Sequence, residues 1–241
     1  MNAEPPTGRI VVGVSAARRS SAVSSNTTSV LAFENFVADE EFPCVGAKAA
    51  LKSCGLQVLE AGNLRCAAHD AEIVVGLQTF PHHKISRHHF ASLAVLFPET
   101  PPLTEKQFEG ELWARLDALH RIDRLQFRYD SRISNDPGSP HFGMSFGGHG
   151  FYVIGMHPNA SRASRRTPCA TLVFNPHAQF NLLRRSGLFE RIRRSVRTRD
   201  IALQGDCNPM LSDHGERSEA IQYSGRQVSG RWSCPFGRKT G

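Results

Sequence analysis

A pair of glycines between two apolar runs constrains the fold more than any other feature of the sequence. Apolar residues alternate with small or polar ones over 142–146, Gly147 and Gly148 follow, and a second apolar run covers 151–156. Alternation is typical of a half-buried strand, and a glycine pair permits the tight turn of a two-residue hairpin. The sequence therefore predicts an antiparallel β-hairpin, which places this part of the chain in a sheet.

The other regular elements follow from the spacing of apolar residues. Strands are predicted where β-branched and apolar residues follow one another, at 71–80, 90–99 and 169–177. Helices are predicted where apolar residues recur every three or four positions, at 29–42, 44–55, 104–123 and 178–200, with a break at Gly187. In the clearest of them Thr104 and Gln107 have the spacing of a capping box. These elements predict an α+β (or α/β) fold, a single domain with helices around a mixed or antiparallel sheet.

The two ends of the chain differ in composition from its middle. Residues 1–28 are rich in Ser, Thr, Ala and Pro, which predicts a disordered or loosely held arm before a single domain at 29–241. The stretch 203–236 is dense in Gly, Asn, Asp and Ser, yet it contains the apolar anchors Trp232 and Phe236. Because a disordered tail would lack such anchors, this stretch is predicted to be a long ordered loop folded over the domain.

Composition limits the class of protein and the kind of ligand. The net charge is +7, from 24 arginines and 5 lysines against 22 acidic residues. Arginine holds planar anions through paired hydrogen bonds, so an acidic ligand is indicated, either nucleic acid or a small molecule. No run of 18 apolar residues and no signal peptide is recognisable, which predicts a cytoplasmic protein without a membrane segment. The six cysteines include no CxxC pair, which argues against a zinc ribbon and indicates reduced thiols.

Two segments of unusual composition have an ordinary interpretation. The segment FPHHKISRHHF contains four histidines but no cysteine or carboxylate, so a solvated loop between two strands is favoured over a metal site. The run 184–199 contains seven arginines, which predicts the polar face of a helix. A phosphate-binding face is the alternative, although no RNA-recognition or helix-turn-helix motif accompanies the run.

Two histidines, His157 and His177, lie beside prolines at the ends of apolar strands. A side chain at the end of a strand is held rigidly and can face a pocket, as a ligand site requires. A single histidine in such a position is more often a hydrogen-bonded core residue, so both interpretations stay open. Anion-binding side chains are available nearby in Arg162, Arg165 and Arg166.

Six segments, in order from about residue 33 to residue 236, resemble the signature blocks of the YqcI/YcgG family: FPCVGAKAAL, GMHPNASRASRR, LVFNPHAQFNLLRRSG, RTRDIALQG, NPMLSDHGERSEAIQYSGR and WSCPF. The resemblance implies an enzyme that uses a b-type haem, O2 and an external electron donor to hydroxylate a guanidino nitrogen of arginine or an arginine-derived amino acid. Enzymes of this kind act in natural-product pathways such as guanitoxin and D-cycloserine biosynthesis. The resemblance also implies that an imidazole is the protein ligand of the iron.

The resemblance assigns the haem ligands to two signature blocks. His157 is the expected axial ligand of the iron, with His177 as the alternative. The haem propionates would be neutralised by Arg162, Arg165 and Arg166. Cys44 is a further candidate for the iron ligand, since a thiolate would push electron density towards O–O cleavage.

The C-terminal loop would close the distal pocket and bind the substrate. Its expected catalytic residues are Asn208, Glu216 and Glu219. Its expected substrate-binding residues are Asp213, Glu216, Glu219, Tyr223 and Arg226. A cationic guanidinium needs a carboxylate, for which Glu216 or Glu219 is the natural partner, while Arg226 could take the α-carboxylate of the amino acid.

Two other functions stay open beside this leading hypothesis. The second hypothesis is a haem-binding or haem-sensing protein without oxygenase activity, and the third is an RNA-binding module that uses the arginine-rich helix. The leading hypothesis expects a small-molecule substrate and neither a nucleic-acid nor a membrane partner, and it allows a homodimer. Purified protein should show a haem absorption band under the first two hypotheses and none under the third.

Overall fold

The computed structural model describes residues 22–84, 90–210, 215–230 and 232–237. Within these ranges the helices are α1 (Ala22–Ala38), α2 (Val45–Lys52), α3 (Asp70–Lys84), α4 (Glu105–Asp123), α5 (His177–Arg185), α6 (Phe189–Gln204) and α7 (Ala220–Tyr223). The strands are β1 (Leu56–Glu60), β2 (Ser92–Phe97), β3 (Met144–Phe146), β4 (His149–Met156) and β5 (Ala170–Pro176). Short 3-10 helices occupy Ala67–His69 and Ala163–Arg165.

The five strands form one mixed sheet in the order β1-β2-β5-β4-β3. β1 runs parallel to β2, and the other neighbouring pairs are antiparallel. β2 and β5 lie in the middle of the sheet, and every residue of β2 is buried. A single domain that surrounds this sheet with helices has the α+β fold that the sequence predicts.

Each face of the sheet carries its own apolar cluster. Leu93 and Val95 of β2 belong to a cluster that includes side chains of α3 and α4. Ala94 and Leu96 belong to a second cluster, which includes Phe33 of α1. Because successive residues of a strand point to opposite faces, β2 contributes to both clusters in turn. The sheet is therefore the middle layer of the domain.

The predicted hairpin is confirmed in β3 and β4. Gly147 and Gly148 have φ angles of 58° and 73°, and the favoured two-residue hairpin turn requires positive φ at both positions. A Cβ at Gly147 would lie 2.9 Å from the Cα of Gln78 in α3. The Gly147 N–H donates to Asp123 Oδ1 of α4 at 2.9 Å. The turn therefore packs directly on α3 and α4, with no space for a side chain.

The predicted start of α4 is also confirmed. The Thr104 hydroxyl accepts a hydrogen bond from the Gln107 N–H at 3.3 Å, and the Gln107 side chain accepts one from the Thr104 N–H at 3.0 Å. Leu112, Leu116 and Leu119, on the apolar face of this helix, are completely buried. The capping box fixes where the helix begins, and the leucines fix which face meets the sheet.

Residues 71–80, predicted as a strand, belong to α3, so that prediction is wrong. A short apolar run can be a buried strand or a buried helix, and its periodicity alone does not decide between them. Ile73, Leu77 and Phe80 are buried and lie three or four residues apart, which is the spacing of one face of a helix. The strand that precedes β2 in the sheet is β1, an element that the sequence patterns do not predict.

Other boundaries also differ from those predicted. α1 begins at Ala22, inside the predicted arm 1–28, and residues 1–21 lie outside the described residues. The histidine-rich segment continues α3 as far as Lys84, and residues 85–89 lie outside the described residues. α7 interrupts the predicted C-terminal loop. None of the helices in the described ranges is both long enough and apolar enough to span a membrane.

Candidate functional site

Three predicted site residues, His177, Glu219 and Tyr223, meet at one point. His177 is the first residue of α5, directly after β5, while Glu219 immediately precedes α7 and Tyr223 ends it. Glu219 Oε1 lies 3.1 Å from His177 Nε2 and accepts a hydrogen bond from the Tyr223 hydroxyl at 2.5 Å. The side chains of His177 and Glu219 are 15% and 13% exposed. We call these three residues the Glu219 cluster.

Three phenols lie around the Glu219 carboxylate. Burial raises the pKa of Tyr223 well above its ordinary value, and the Glu219 charge and their hydrogen bond raise it further. Burial, and then the charge of Glu219, raise the pKa of Tyr129. Burial raises the pKa of Tyr152 against the opposing effect of Arg165. All three phenols therefore stay protonated, so that Tyr223 is a hydrogen-bond donor to the carboxylate.

A cleft of about 170 Å³ opens on the Glu219 cluster. Its walls are formed by Pro140, Tyr152, His177, Phe180, Arg184, Phe189, Gly215, Arg217, Glu219 and Gln222. Because a water molecule occupies roughly 30 Å³ of liquid, the cleft has room for a group of about half a dozen heavy atoms. We call it the Glu219 cleft.

A wider cleft of about 700 Å³ shares Pro140 and Arg217 with the Glu219 cleft. Apolar side chains dominate its walls, with Pro137, Ile221, Trp232 and Phe236 among them. Glu216 and Cys234 also line it. Its volume lies within the roughly 300–1,000 Å³ that is typical of pockets for organic ligands. We call it the Trp232 cleft.

A hollow of about 90 Å³, which His177 also lines, contains Asp130, Arg132, His141 and His149. Burial alone would raise the pKa of Asp130, but hydrogen bonds from Arg132 and from backbone N–H groups lower it overall. In this hollow the charge of Asp130 is therefore balanced by the charge of Arg132. In the part of the chain that the structure describes, no three His, Cys, Asp or Glu side chains are grouped to hold a metal ion.

His157, the first choice for an iron ligand, is a core residue. It is 1% exposed, and its ring stacks on Phe108 with centroids 4.3 Å apart. Burial lowers the pKa of His157, which keeps the imidazole neutral. Neither ring nitrogen has a hydrogen-bond partner among the described residues, and His157 lines none of the three cavities above. An iron at this imidazole would need space that neighbouring core side chains fill.

The three arginines predicted to bind propionates are bonded to protein groups. Arg162 pairs with Asp200 at 2.7 Å and with Asp206 at 2.9 Å. Arg165 is buried, and its Nη1 donates to two backbone carbonyls. Arg166 likewise donates to two carbonyls, each at 3.1 Å. These contacts tie the segment after β4 to the rest of the domain and do not direct the guanidinium groups towards a cleft.

Arg226, predicted to bind the substrate carboxylate, is paired with Glu109 of α4. Glu109 Oε2 accepts from Arg226 Nε at 2.9 Å and from Nη2 at 2.5 Å. Glu109 Oε1 accepts from the Trp232 indole at 3.1 Å and from the Ser224 hydroxyl at 3.2 Å. Glu109 is only 6% exposed. It therefore anchors the C-terminal segment, and the Arg226 guanidinium is already paired with a carboxylate of the protein.

The remaining predicted residues lie apart from the Glu219 cluster. Asn208 is buried and accepts a hydrogen bond from the Met210 N–H at 3.0 Å within a turn. Glu216 is exposed on the Trp232 cleft, and Asp213 lies outside the described residues. The Cys44 sulfur accepts from the Ala47 N–H and caps α2, and burial raises the pKa of this thiol. Cys44 lines none of the three cavities, so a ligand role for its thiolate has no support from this geometry.

Comparison with known proteins gives one match. The YqcI/YcgG family model matches residues 33–237, which include all five strands and the whole Glu219 cluster. A search of the curated proteins and a search of the solved structures each found no match. The matched region covers most of the chain, and this protein therefore belongs to the YqcI/YcgG family.

Proposed function

We propose that this protein is a haem-dependent oxygenase that N-hydroxylates a guanidino nitrogen of arginine or an arginine-like amino acid. The observation that carries the proposal is the Glu219 cluster, a mostly buried carboxylate in an aromatic-walled cleft sized for a guanidino side chain. Family membership supports it through the activity that the signature blocks imply. A small cleft with a few oriented polar groups is typical of a substrate site.

Glu219 is the residue that we assign to binding the cationic guanidinium. Its Oε1 receives the contacts of His177 and Tyr223, while its Oε2 has no hydrogen-bond partner among the described residues. A guanidinium presents several N–H donors in one plane and pairs well with a carboxylate. Phe180 and Phe189 in the walls exclude water and so strengthen the attraction between the two charges.

Glu219 is also placed to act as a base. N-hydroxylation replaces an N–H of the guanidino group by N–OH, while two electrons and two protons from outside reduce the second oxygen atom of O2 to water. The carboxylate that binds the group would lie beside this N–H and could hold its proton during the replacement. Tyr223 donates to the same carboxylate and holds it in one orientation. His177, at the start of α5, contacts the same oxygen and also restricts the carboxylate. These two contacts are the preorganisation that a catalytic carboxylate requires.

A haem would fit the Trp232 cleft better than the cavities at His177. The cavities that His177 lines hold about 90 and 170 Å³, whereas the Trp232 cleft holds about 700 Å³. Trp232 and Phe236 would pack on the macrocycle, and Arg217 would pair with a propionate. Cys234, a half-buried thiol in the same wall, is a donor suited to iron. We therefore propose that Cys234 would hold the haem iron in this cleft.

The proposed arrangement places the cofactor and the substrate in two adjoining clefts. When bound, the haem supplies the redox chemistry that activates O2, and a thiolate ligand favours O–O cleavage. Pro140 and Arg217 line both clefts, so a guanidinium at Glu219 would lie beside the cofactor cleft and outside it. The chain thus supplies binding, orientation and exclusion of water, while the cofactor supplies the oxidation.

Activity is tested with the haem-loaded protein. Incubation with a chemical reductant, O2 and L-arginine is expected to form N-hydroxyarginine, detected by mass spectrometry, and omission of O2 is expected to abolish it. Protein that takes up haem and binds L-arginine, yet forms no oxidised product with any reductant or with peroxide, would support a non-catalytic haem protein instead. Protein that takes up no haem would contradict both.

The ligand assignment predicts a specific spectral change. Cys234→Ser is expected to abolish the long-wavelength absorption band that thiolate ligation gives to the ferrous carbonyl complex, because an alcohol does not replace a thiolate on iron. Cys207→Ser, a change of an exposed thiol that does not line the Trp232 cleft, is the control and should leave the band unchanged. A ferrous carbonyl complex of the wild-type protein that lacks this long-wavelength band, together with loss of haem absorption in His177→Ala or His157→Ala, would return the ligand to an imidazole.

A further inference from the structure

Arg184, in the last turn of α5, is a second charged group in the Glu219 cleft. Its Nη1 donates to Asn181 Oδ1 at 2.9 Å, and its guanidinium carbon lies 4.7 Å from the centre of the Phe189 ring. The amide and the ring fix the plane of the guanidinium. Arg184 is therefore held in the cleft wall by neutral groups.

The charge of Arg184 has no acidic partner in the described parts of the chain. Arg184 and Glu219 line the same cleft without forming a salt bridge, and no other described carboxylate pairs with Arg184. Burial lowers the pKa of Arg184, which the charges of Glu219 and Glu190 oppose. A cation that is partly removed from water without a counter-ion is stabilised by any anion that enters the cleft.

We propose that Arg184 binds the α-carboxylate of the substrate whose guanidinium binds Glu219, so that the cleft selects free amino acids. This inference rests on the proposed function, because it takes the guanidinium as the group that Glu219 recognises. The opposite charges line one cleft and form no salt bridge with each other. The guanidino end would fill the space at Glu219, and the α-carboxylate would meet Arg184, whose side chain is partly exposed. An arginine pairs with a carboxylate through two parallel hydrogen bonds, which discriminates strongly against a ligand that lacks the carboxylate.

Titration calorimetry of the haem-loaded protein with two ligands measures how strongly the cleft selects for the carboxylate. L-Arginine carries the guanidinium, the ammonium and the α-carboxylate, whereas agmatine, its decarboxylated form, keeps both cations and lacks the carboxylate. Wild-type protein is expected to bind L-arginine more tightly than agmatine by about tenfold to a hundredfold, since one charge-assisted interaction is lost. Arg184→Gln is expected to reduce the affinity for L-arginine by about the same factor and not to weaken the binding of agmatine, whose ammonium group gains nothing from a cation at this position.

Matched variants separate this effect from a general disturbance of α5. Arg185→Gln removes the neighbouring exposed arginine and should change neither affinity. Arg184→Lys keeps the charge but not the planar fork, and should retain part of the preference for L-arginine. Equal affinities of wild-type protein for both ligands, or equal weakening of both by Arg184→Gln, would overturn the inference and leave the proposed function in place. Wild-type protein that binds neither ligand would overturn both.

Discussion

Glu219→Gln is expected to lower kcat/KM for L-arginine by about a hundredfold, equivalent to about 3 kcal/mol. The carboxylate carries the charge that binds the guanidinium and two oxygens that accept hydrogen bonds from it, whereas an amide is neutral and has only one acceptor oxygen. The glutamine can still accept a hydrogen bond from Tyr223, so the cleft itself should persist. The measurement is steady-state N-hydroxyarginine formation together with the midpoint of urea denaturation.

A carboxylate remote from the cleft provides the control for this change. Glu72 lies on α3 with a side chain that is 78% exposed, and Glu72→Gln removes the same charge from the protein surface. It should leave kcat/KM at the wild-type value. If the two variants have equal activity while Glu219→Gln stays folded, Glu219 does not bind the guanidinium and the proposed substrate site is wrong.

Glu109→Ala is expected to lower the free energy of unfolding by about 3 kcal/mol. Glu109 accepts hydrogen bonds from Arg226, Trp232 and Ser224, and removing it leaves these donors without their acceptor inside the protein. The Arg226 side chain is 26% exposed and can turn partly towards water, which places the cost at the lower end of the roughly 3–5 kcal/mol for breaking a buried ion pair. Urea denaturation measures the loss.

The next glutamate on the same helix is the matched control. Glu111 pairs with Arg65 at the surface, where the two side chains are 29% and 45% exposed. Glu111→Ala should cost less than about 1 kcal/mol, as exposed ion pairs usually do. Limited proteolysis should also cut Glu109→Ala, and not Glu111→Ala, within residues 224–232. Equal stability losses for the two variants would show that Glu109 does not anchor this segment.

Local patterns were sufficient to predict much of the fold. The hairpin depends on two glycines with positive φ, and the start of α4 depends on Thr104 and Gln107, so neighbouring residues alone determine both. The sequence predicts a strand where the structure has α3, because an apolar run such as Ile73–Leu77 suits a buried strand as well as a buried helix. Only the packing against β2 and α4 distinguishes the two. β1 was missed since its five residues are all only partly buried and show no clean alternation.

The candidate site was predicted in part, and the missing part is non-local. His177, Glu219 and Tyr223 were identified separately, but nothing in the spacing predicts that His177 Nε2 lies 3.1 Å from a carboxylate 42 residues later. The sequence assigns Arg226 to the substrate because it does not show that Arg226 has a partner in the protein. That partner, Glu109, looks in the sequence like an ordinary charged residue of a helix. A signal was present, because Leu112 and Leu116 follow Glu109 at three and seven residues and place it on the buried face.

The hydrogen bond between Glu109 and Trp232 has a consequence for biosynthesis. The bond joins residues 123 positions apart, so α4 leaves the ribosome long before Trp232 has been synthesised. The central strands β2 and β5 are complete earlier, and the nascent chain can therefore form its sheet with Glu109 still in water. Glu219, Tyr223 and the C-terminal part of the lining of both clefts arrive afterwards with the same late segment. Translation thus produces a folded scaffold first and a binding-competent protein only when residue 232 has been added and has docked.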